Sequence, residues 1–228
     1  MSLHNYSKYA NDDAKNALEN LLKSTEQPTQ YRHNMTLLGE LLGQVVAPII
    51  KSNSLSLVVS TAEDADFLQR GIVSSLEKAH LNSKIAVFWN NHYQLSSGSS
   101  VAPIIYKYID SDFQLANNII VVKSVISGSC VVRTNLIEVL EQVKQVDKIF
   151  ILSPVMHTDS EFKLKSEFPN NLADKFNFIY FATDAQRNDD GEVVPGIGGQ
   201  IYKLLGIGDQ PVLTGFIPQV VQQRIATL

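Results

Sequence analysis

The chain has 228 residues, of which 44% are hydrophobic and 18% are charged. A chain of this length suffices for one large α/β domain or two small ones. Its composition is unlike that of a disordered chain. The formal net charge is −4, whereas nucleic-acid-binding proteins typically carry an excess of basic residues. The apolar runs are too short for a membrane span, there is no signal-peptide core, and a single cysteine excludes an intrachain disulfide. We therefore expect a cytoplasmic protein without nucleic-acid or membrane partners.

Two amphipathic helices are predicted near the N-terminus. Apolar residues at helical spacing predict a first helix that ends at Lys23 and is capped by Asp12 or Asp13. The same spacing predicts a second helix from about Tyr31 to Ile50. The polar residues 1–8 are expected to lack regular structure.

Strands and helices alternate between residues 55 and 182. Short apolar, β-branched runs predict strands buried on both faces. These are Leu55–Ser60, Lys84–Trp89, Ile119–Val122, Lys148–Leu152 and Phe178–Ala182. A Ser/Gly-rich turn at Ser96–Ser100 precedes the extended stretch Val101–Ile109, where Pro103 indicates an edge strand or a flap. The alternation is typical of an α/β fold whose parallel sheet is flanked by helices on both faces.

The segments between and after these strands predict the remaining helices. They run from about Phe67 to Ala79, Val131 to Val146, Glu161 to Phe168, Gln200 to Leu205 and Pro218 to Thr227. Ligands of parallel sheets bind at the carboxyl ends of the strands. We therefore expect three loops to converge there: residues 61–66, 123–132 and 153–158.

One of these loops is a candidate anion site. Ser127, Gly128 and Ser129 lie between a predicted strand and a predicted helix. This arrangement can direct backbone N–H groups and a helix N-terminus at a phosphate. The loop lacks the glycine spacing of a nucleotide-binding fingerprint, so an ordinary strand-to-helix turn remains the alternative.

The stretch from Ala182 to Ile207 contains a characteristic set of residues: Asp184, Asn188, Gly191, Val194, Pro195, Gly196, Gly198 and Gly206. In these residues it resembles the C-terminal part of uracil phosphoribosyltransferases. Residues 31–43, 58–62 and 120–129 resemble further landmarks of that family in the same order. The resemblance implies the type I phosphoribosyltransferase fold, a single domain over residues 1–228 and a homodimer. It divides the chain into N-terminal helices (1–50), a core sheet (55–182) and a C-terminal hood with a closing helix (183–228).

The resemblance also assigns roles to three regions. The loop with Lys123, Ser127, Gly128 and Ser129 lies where the family binds the 5′-phosphate of phosphoribosyl pyrophosphate. The residues Thr61, Ala62, Glu63 and Asp64 lie in the place of the pyrophosphate loop. The hood residues Val194, Gly196, Ile197 and Gly198 lie where the family reads uracil through backbone groups. No metal ligand is assigned, and Mg²⁺ is expected only if the chain is an active transferase.

The sequence departs from the family at each phosphate or metal contact. Lys123 replaces an aspartate, Thr61 replaces an arginine, and Gly199–Tyr202 replaces a segment with two carboxylates. Lys123 either attracts a phosphate as a point charge or is a solvated lysine at a strand end. Glu63, Asp64 and Asp66 either repel pyrophosphate, hold a cation, or are ordinary acidic residues of a first helical turn.

Two further side chains lie near these loops. Cys130 lies at the start of a predicted helix, which is expected to lower its pKa, and it is either a reactive thiol or a small buried residue. His157 follows a predicted strand and is either a capping residue or a general base.

Three functions fit these observations. The first is a uracil phosphoribosyltransferase-like protein with impaired or lost catalysis that binds a nucleobase, a nucleotide or a phosphate. The second is an active transferase that converts uracil and phosphoribosyl pyrophosphate to UMP and pyrophosphate in pyrimidine salvage. The third is a structural or partner-binding subunit that uses only the scaffold.

Overall fold

The computed structural model describes residues 4–96 and 100–226, and within them one large sheet spans the chain. The strands, in chain order, are β1 (Asn5–Tyr6), β2 (Leu55–Thr61), β3 (Asn82–Asn90), β4 (Tyr93–Gln94), β5 (Ser100–Val101), β6 (Ile104–Ile109), β7 (Asn118–Val122), β8 (Val125–Ile126), β9 (Lys148–His157), β10 (Phe176–Asp184), β11 (Gln186–Arg187) and β12 (Val193–Val194). The sheet order is β1-β10-β9-β7-β2-β3-β6, with β8 on β9. The inner strands are parallel, and the edge strands β1 and β6 are antiparallel.

Helices connect these strands. They are α1 (Asp12–Lys23), α2 (Pro28–Val46), α3 (Ala62–Asp64), α4 (Arg70–Lys78), α5 (Cys130–Leu140), α6 (Ser160–Ser166), α7 (Asn170–Ala173), α8 (Ile201–Leu204), α9 (Pro211–Thr214) and α10 (Gln219–Ile225). A π-helical segment, Ala65–Gln69, joins α3 to α4, and short 3₁₀ turns occur at Ala47–Ile49 and Phe113–Leu115. None of the helices within the described ranges is both long and apolar enough to cross a bilayer.

Alternating strand residues bury the sheet on both faces, as the apolar runs predicted. In β2, Val58 packs with α1, α2 and α4, whereas Leu57 and Val59 pack on the other face with α5 and α6. This confirms the predicted fold class, a mostly parallel sheet flanked by helices. The chain leaves β2 for β3 on one side and later places β7 on the other. The loops after β2 and β7 therefore diverge around a crevice, the usual ligand position in such a sheet.

The N-terminal region differs from the prediction in three details. Asn11, not Asp12 or Asp13, caps α1, and its Oδ1 accepts a bond from the Ala14 N–H at 2.9 Å. The two aspartates lie in the first turn, where their negative charges interact favourably with the helix dipole. Helix α2 begins at Pro28, because a proline at the first helical position loses no hydrogen bond. Part of the stretch expected to lack structure, residues 5–6, pairs with β10.

Later elements also differ at their ends. Strands β9 and β10 extend beyond the predicted bounds, to His157 and Asp184. The stretch with Pro103 supplies β6, which lies at an edge of the sheet as predicted. Most of the turn predicted at Ser96–Ser100 and the predicted end of the last helix at Thr227 lie outside the described residues.

Helices α2 and α4 approach so closely that glycines are needed at their crossing. A Cβ atom on Gly71 would lie 2.3 Å from the carbonyl oxygen of Thr36 and 2.7 Å from the amide nitrogen of Glu40. A Cβ atom on Gly39 would lie 2.3 Å from the carbonyl oxygen of Leu68. The Ser75 hydroxyl donates to the Glu40 carbonyl at 2.7 Å across the same contact. This crossing positions the segment that carries Glu63 and Asp64.

Candidate functional site

A cleft of about 610 Å³ lies at the carboxyl edge of the sheet. It is lined by residues that follow β2 and β7, by the start of α5 and by the C-terminal hood. The loops at 61–66 and 123–132 both contribute lining residues, as predicted, but the stretch 153–158 does not. That stretch belongs mainly to β9, which extends to His157.

Lys123 forms a buried ion-pair cluster with two carboxylates. Its Nζ lies 3.0 Å from Oε1 of Glu63 and 2.7 Å from Oδ2 of Asp64. Only 13% of the Lys123 side chain, 7% of the Glu63 side chain and none of the Asp64 side chain is exposed. Burial alone would lower the pKa of Lys123, but Asp64 and then Glu63 outweigh it and raise that pKa well above its ordinary value. Lys123 is therefore charged at every physiological pH.

This cluster corrects one of the two interpretations of Lys123. The lysine is not a solvated residue at a strand end, because only 13% of its side chain is exposed and its ammonium group donates to Glu63 and Asp64. It also lines the cleft, and its contact with a phosphate stays a prediction. Asp64 holds the cluster in place, since its Oδ2 also accepts bonds from the Thr61 hydroxyl at 3.1 Å and the Ser124 N–H at 3.3 Å. In the predicted degenerate pyrophosphate loop, the acidic side chains are thus occupied by contacts within the chain.

The acidic residues after β2 do not fit a resident Mg²⁺. Glu63 and Asp64 bind Lys123, and Asp66 accepts bonds from the N–H groups of Gln219 and Val220 at 2.8 and 2.9 Å, which caps α10. Nowhere in residues 4–96 and 100–226 do three His, Cys, Asp or Glu side chains gather in a way that could hold a metal ion. Hard divalent ions need several oxygen ligands, whereas Oε1 of Glu63, Oδ2 of Asp64 and both oxygens of Asp66 bind groups of the chain, and Oδ1 of Asp64 is buried without a hydrogen-bond partner.

The candidate phosphate loop faces the cleft at the start of α5. Ser127 donates its hydroxyl to the Gly191 carbonyl at 2.6 Å, and Ser129 donates its hydroxyl to Glu167 at 2.6 Å. No side chain caps the N-terminus of α5. A side chain at Gly128 would enter open space. The loop therefore offers backbone N–H groups rather than hydroxyl groups to an anion.

The hood backbone groups expected to bind a base are largely engaged within the chain. The Gly196 N–H donates to Asp184 at 2.9 Å, and the Ile197 carbonyl accepts from the Tyr31 hydroxyl at 2.9 Å. The Gly198 N–H donates to the Pro195 carbonyl at 3.0 Å. Of the four predicted hood residues only Ile197 lines the cleft, whereas Val194 pairs with β11.

Several residues that carry the family resemblance build the hood itself. Asn188 accepts a bond from the Glu192 N–H at 2.8 Å, and Gly191 adopts a positive φ of 79° in the turn between β11 and β12. Gly196, with φ of 54°, cannot carry a side chain because a Cβ atom would lie 2.2 Å from the Val193 carbonyl oxygen. The matched pattern thus specifies the backbone path that closes the cleft.

Several lining residues were not singled out from the sequence, among them Arg187, His92 and Tyr202. Arg187 donates from Nε to the Ser127 hydroxyl oxygen at 3.0 Å and from Nη2 to the Ser127 carbonyl. His92 and Tyr202 lie near the cluster. Burial and Lys123 lower the pKa of His92, and burial and Glu63 raise that of Tyr202. Arg187 and Tyr202 lie within the family-like stretch Ala182–Ile207, which offered a signal for these two residues, whereas His92 had none.

Cys130 and His157 both form hydrogen bonds within the chain. The Cys130 thiol donates to the Ser100 carbonyl at 3.3 Å, and burial raises its pKa, contrary to the lowering expected at a helix start. His157 contacts the Ala185 carbonyl through Nε2 at 3.0 Å and accepts from the Asp159 N–H through Nδ1 at 3.1 Å. This histidine links the end of β9 to the residue that follows β10, in agreement with a capping role.

Folding stability should fall in acid partly because of His157. Burial, and then Arg187, lower its pKa from the ordinary value of 6.5. The unfolded chain then binds more protons than the native state between the two pKa values. The free energy of unfolding therefore decreases as the pH falls below 6.5 and levels off below the folded pKa. Urea denaturation at about pH 7.5 and about pH 5 should show a smaller loss for His157→Gln than for the unsubstituted chain. Equal losses would contradict this assignment.

Sequence comparison finds no match, whereas comparison of structures finds similar solved structures. No protein-family model matches the chain, and no curated protein sequence matches it. The AQ2163 protein from Aquifex aeolicus is similar with a TM-score of 0.67 and 12% identity, over 87% of this chain and 96% of that one. At this identity the similarity shows a shared fold alone.

Two other solved structures are less similar. A hypothetical protein from Neisseria gonorrhoeae with bound ppGpp has a TM-score of 0.43 and 12% identity, over 77% of this chain and 93% of that one. Hypoxanthine phosphoribosyltransferase from Trypanosoma cruzi, complexed with the product IMP, has a TM-score of 0.44 and 9% identity, over 68% and 75%. Their TM-scores are too low to establish a common fold.

Proposed function

We propose that this chain is a phosphoribosyltransferase-like protein, related in pattern to uracil phosphoribosyltransferases, that binds a nucleotide or another phosphate-bearing ligand with little or no transfer activity. The observation that carries the proposal is the buried cluster of Lys123, Glu63 and Asp64 beside an intact cleft. The cluster fills the region where the resemblance places the pyrophosphate. The cleft still exposes the start of α5, where a phosphate can bind.

Loss of catalysis follows from the positioning groups that are missing. Transfer of a phosphoribosyl group depends mainly on orientation and on electrostatic stabilisation of developing charge. The aspartate expected at position 123 is a lysine, and that lysine is held by two carboxylates. A loss of about 1–3 kcal/mol for each missing polar contact slows turnover by orders of magnitude when several are absent.

Phosphate binding is supported by the residues that line the cleft near the start of α5. Gly128, Cys130 and Val131 line the cleft at the start of α5, and Lys163 and Arg187 bring positive charge to its wall. A helix N-terminus favours an anion by about 0.3–1 kcal/mol at exposed sites. Backbone N–H groups of the loop add hydrogen bonds of their own. A nucleobase would lie between this loop and the hood, against Ile197.

Nucleotide binding should depend on Gly128, whose substitution leaves the fold undisturbed. A side chain there enters open space, so Gly128→Asn and Gly128→Asp should both fold like the parent chain. The aspartate places a negative charge where the phosphate binds, whereas the asparagine matches its size without the charge. UMP at about a hundred times its dissociation constant should stabilise the parent chain by about 2.7 kcal/mol and raise its melting temperature by several degrees. Gly128→Asn should retain this shift, and Gly128→Asp should lose it.

The same samples distinguish the alternatives. An absence of shift with UMP, uracil and phosphoribosyl pyrophosphate with Mg²⁺ would contradict ligand binding and favour a partner-binding subunit. Formation of UMP from uracil at an ordinary enzymatic rate of about 1–10³ s⁻¹ would contradict impaired catalysis and favour the active enzyme of pyrimidine salvage. The homodimer implied by the resemblance is part of the proposal, and light scattering on the purified chain tests it.

A further inference from the structure

We infer that His4 is a positioning residue for ligand binding, because through Asp184 it holds the hairpin of the hood that forms one wall of the cleft. This inference rests on the proposed function, since it concerns the ligand of the same cleft. The register of β1 is its starting point. Strand β1 pairs antiparallel with β10, so that Asn5 lies opposite Thr183. One step further along this register, His4 meets Asp184, the residue at which β10 ends.

The contact between His4 and Asp184 is buried. Nδ1 of His4 lies 3.1 Å from Oδ1 and 3.0 Å from Oδ2 of Asp184. None of the His4 side chain and only 4% of the Asp184 side chain is exposed. An ionised carboxylate only accepts hydrogen bonds, so the ring nitrogen is the donor. Loss of the imidazole would leave the carboxylate poorly compensated in a buried place, which favours its rearrangement.

Asp184 in turn closes the hairpin formed by β11 and β12. Its Oδ2 accepts a bond from the Gly196 N–H at 2.9 Å. Positions 184 and 196 flank the two paired strands of the hairpin, so this bond joins its two ends. Gly196 adopts a positive φ of 54° between Val193 and Ile197, which both line the cleft. The place of the Gly196 peptide therefore decides where these two apolar side chains meet a ligand.

A contact from another element holds the neighbouring peptide. The Tyr31 hydroxyl of α2 donates to the Ile197 carbonyl at 2.9 Å. Without His4, the hood thus stays attached through Tyr31, but the base of the hairpin loses the partner that orients Asp184. The hairpin then samples more positions, and a ligand must select the competent one, which lowers its apparent affinity. The expected consequence of losing His4 is weaker binding by a chain that still folds.

Calorimetric titration with UMP, at a temperature well below the melting temperature of each variant, tests this inference. His4→Leu removes the donor and should weaken UMP binding by about tenfold. His4→Asn places an amide N–H close to the position of Nδ1, so it should bind within about threefold of the parent chain.

Ser7→Ala is the matched control on the same N-terminal segment. The Ser7 hydroxyl donates to the Tyr180 carbonyl of β10 and not to the hood. The substitution therefore loosens the attachment of the N-terminal segment without reaching the hairpin. It should lower the melting temperature and leave the affinity for UMP unchanged.

Amide hydrogen exchange of the parent chain gives a second test, which needs no variant. The Gly196 N–H should exchange as slowly as the paired amides at the end of β10, because it is bonded to a buried carboxylate. Rapid exchange of this amide in the parent chain would overturn the inference, even if His4→Leu failed to fold.

The outcomes separate the inference from the function on which it rests. A His4→Leu variant that binds UMP as tightly as the parent chain would overturn the inference and leave the proposed function intact. Equal losses of affinity in His4→Leu and Ser7→Ala, or in His4→Leu and His4→Asn, would also overturn it, because the donor at position 4 would then have no particular role. A lack of UMP binding by the parent chain would overturn the proposed function and the inference together.

Discussion

Replacement of Lys123 with methionine should lower the free energy of unfolding by about 3–5 kcal/mol. Methionine is close to lysine in length, so packing changes little and the loss comes from charge. The substitution leaves Glu63 and Asp64 as neighbouring carboxylates in a buried site without their ammonium partner. Urea denaturation near neutral pH measures the change through the transition midpoint.

A triple variant provides the control for this prediction. Lys123→Met combined with Glu63→Gln and Asp64→Asn removes all three charges and retains groups of similar size. It should recover much of the lost stability, because neutral side chains in place of a buried ion cluster are often tolerated. A loss below about 1 kcal/mol for Lys123→Met alone would indicate a solvated lysine and would contradict the buried cluster.

Replacement of Gly71 with alanine should destabilise the fold by about 3 kcal/mol or more, at or beyond the upper range for overpacking. The added Cβ would meet two backbone atoms of α2, at Thr36 and Glu40, and neither can move without separating the helices. Helix propensity alone predicts the opposite sign, a gain of about 0.8–1.0 kcal/mol for glycine to alanine within a helix. The two effects are therefore distinguished by the direction of the change.

Gly128→Ala is the matched control, since a Cβ atom there meets nothing within 4 Å. Thermal and urea unfolding of both variants should show a large loss for Gly71→Ala and a small change for Gly128→Ala. A Gly71→Ala variant as stable as the parent chain would mean that α2 and α4 are farther apart than described here.

Much of the fold could be predicted because its signals are local. The apolar runs at Leu57–Val59 and Ile119–Val122 are buried on both faces, and such runs are typical of strands in parallel sheets. The ends of β9 and β10 were missed because polar residues and Pro154 interrupt the apolar pattern of β9, and the pairing of the two strands extends them to His157 and Asp184. Tertiary pairing, which a local pattern does not contain, decided those bounds.

The candidate site was predictable only in outline. The positions of the loops after β2 and β7 follow from the alternation of strands and helices. The contact of Lys123 with Glu63 and Asp64 spans about sixty residues and depends on β2 lying beside β7. The register that pairs Val59 with Val121, continued by two residues, brings Thr61 level with Lys123. No property of either loop alone specifies that register.

The hood shows a different limit. Its glycines and proline matched a known pattern, and Gly191, Gly196 and Gly198 adopt positive φ in the structure. The partners of its backbone groups, Tyr31 and Asp184, lie far from it or at its very start. A motif can thus preserve a backbone shape while its hydrogen-bonding groups bind partners within the chain instead of a ligand.

A crystal structure of the chain grown with UMP tests the central claim most directly. We expect the phosphate at the start of α5, within hydrogen-bond distance of backbone N–H groups between Gly128 and Val131, with Lys123 still bound to Glu63 and Asp64. A phosphate bound instead by a Lys123 released from its carboxylates, or a cleft without nucleotide at saturating UMP, would contradict the account.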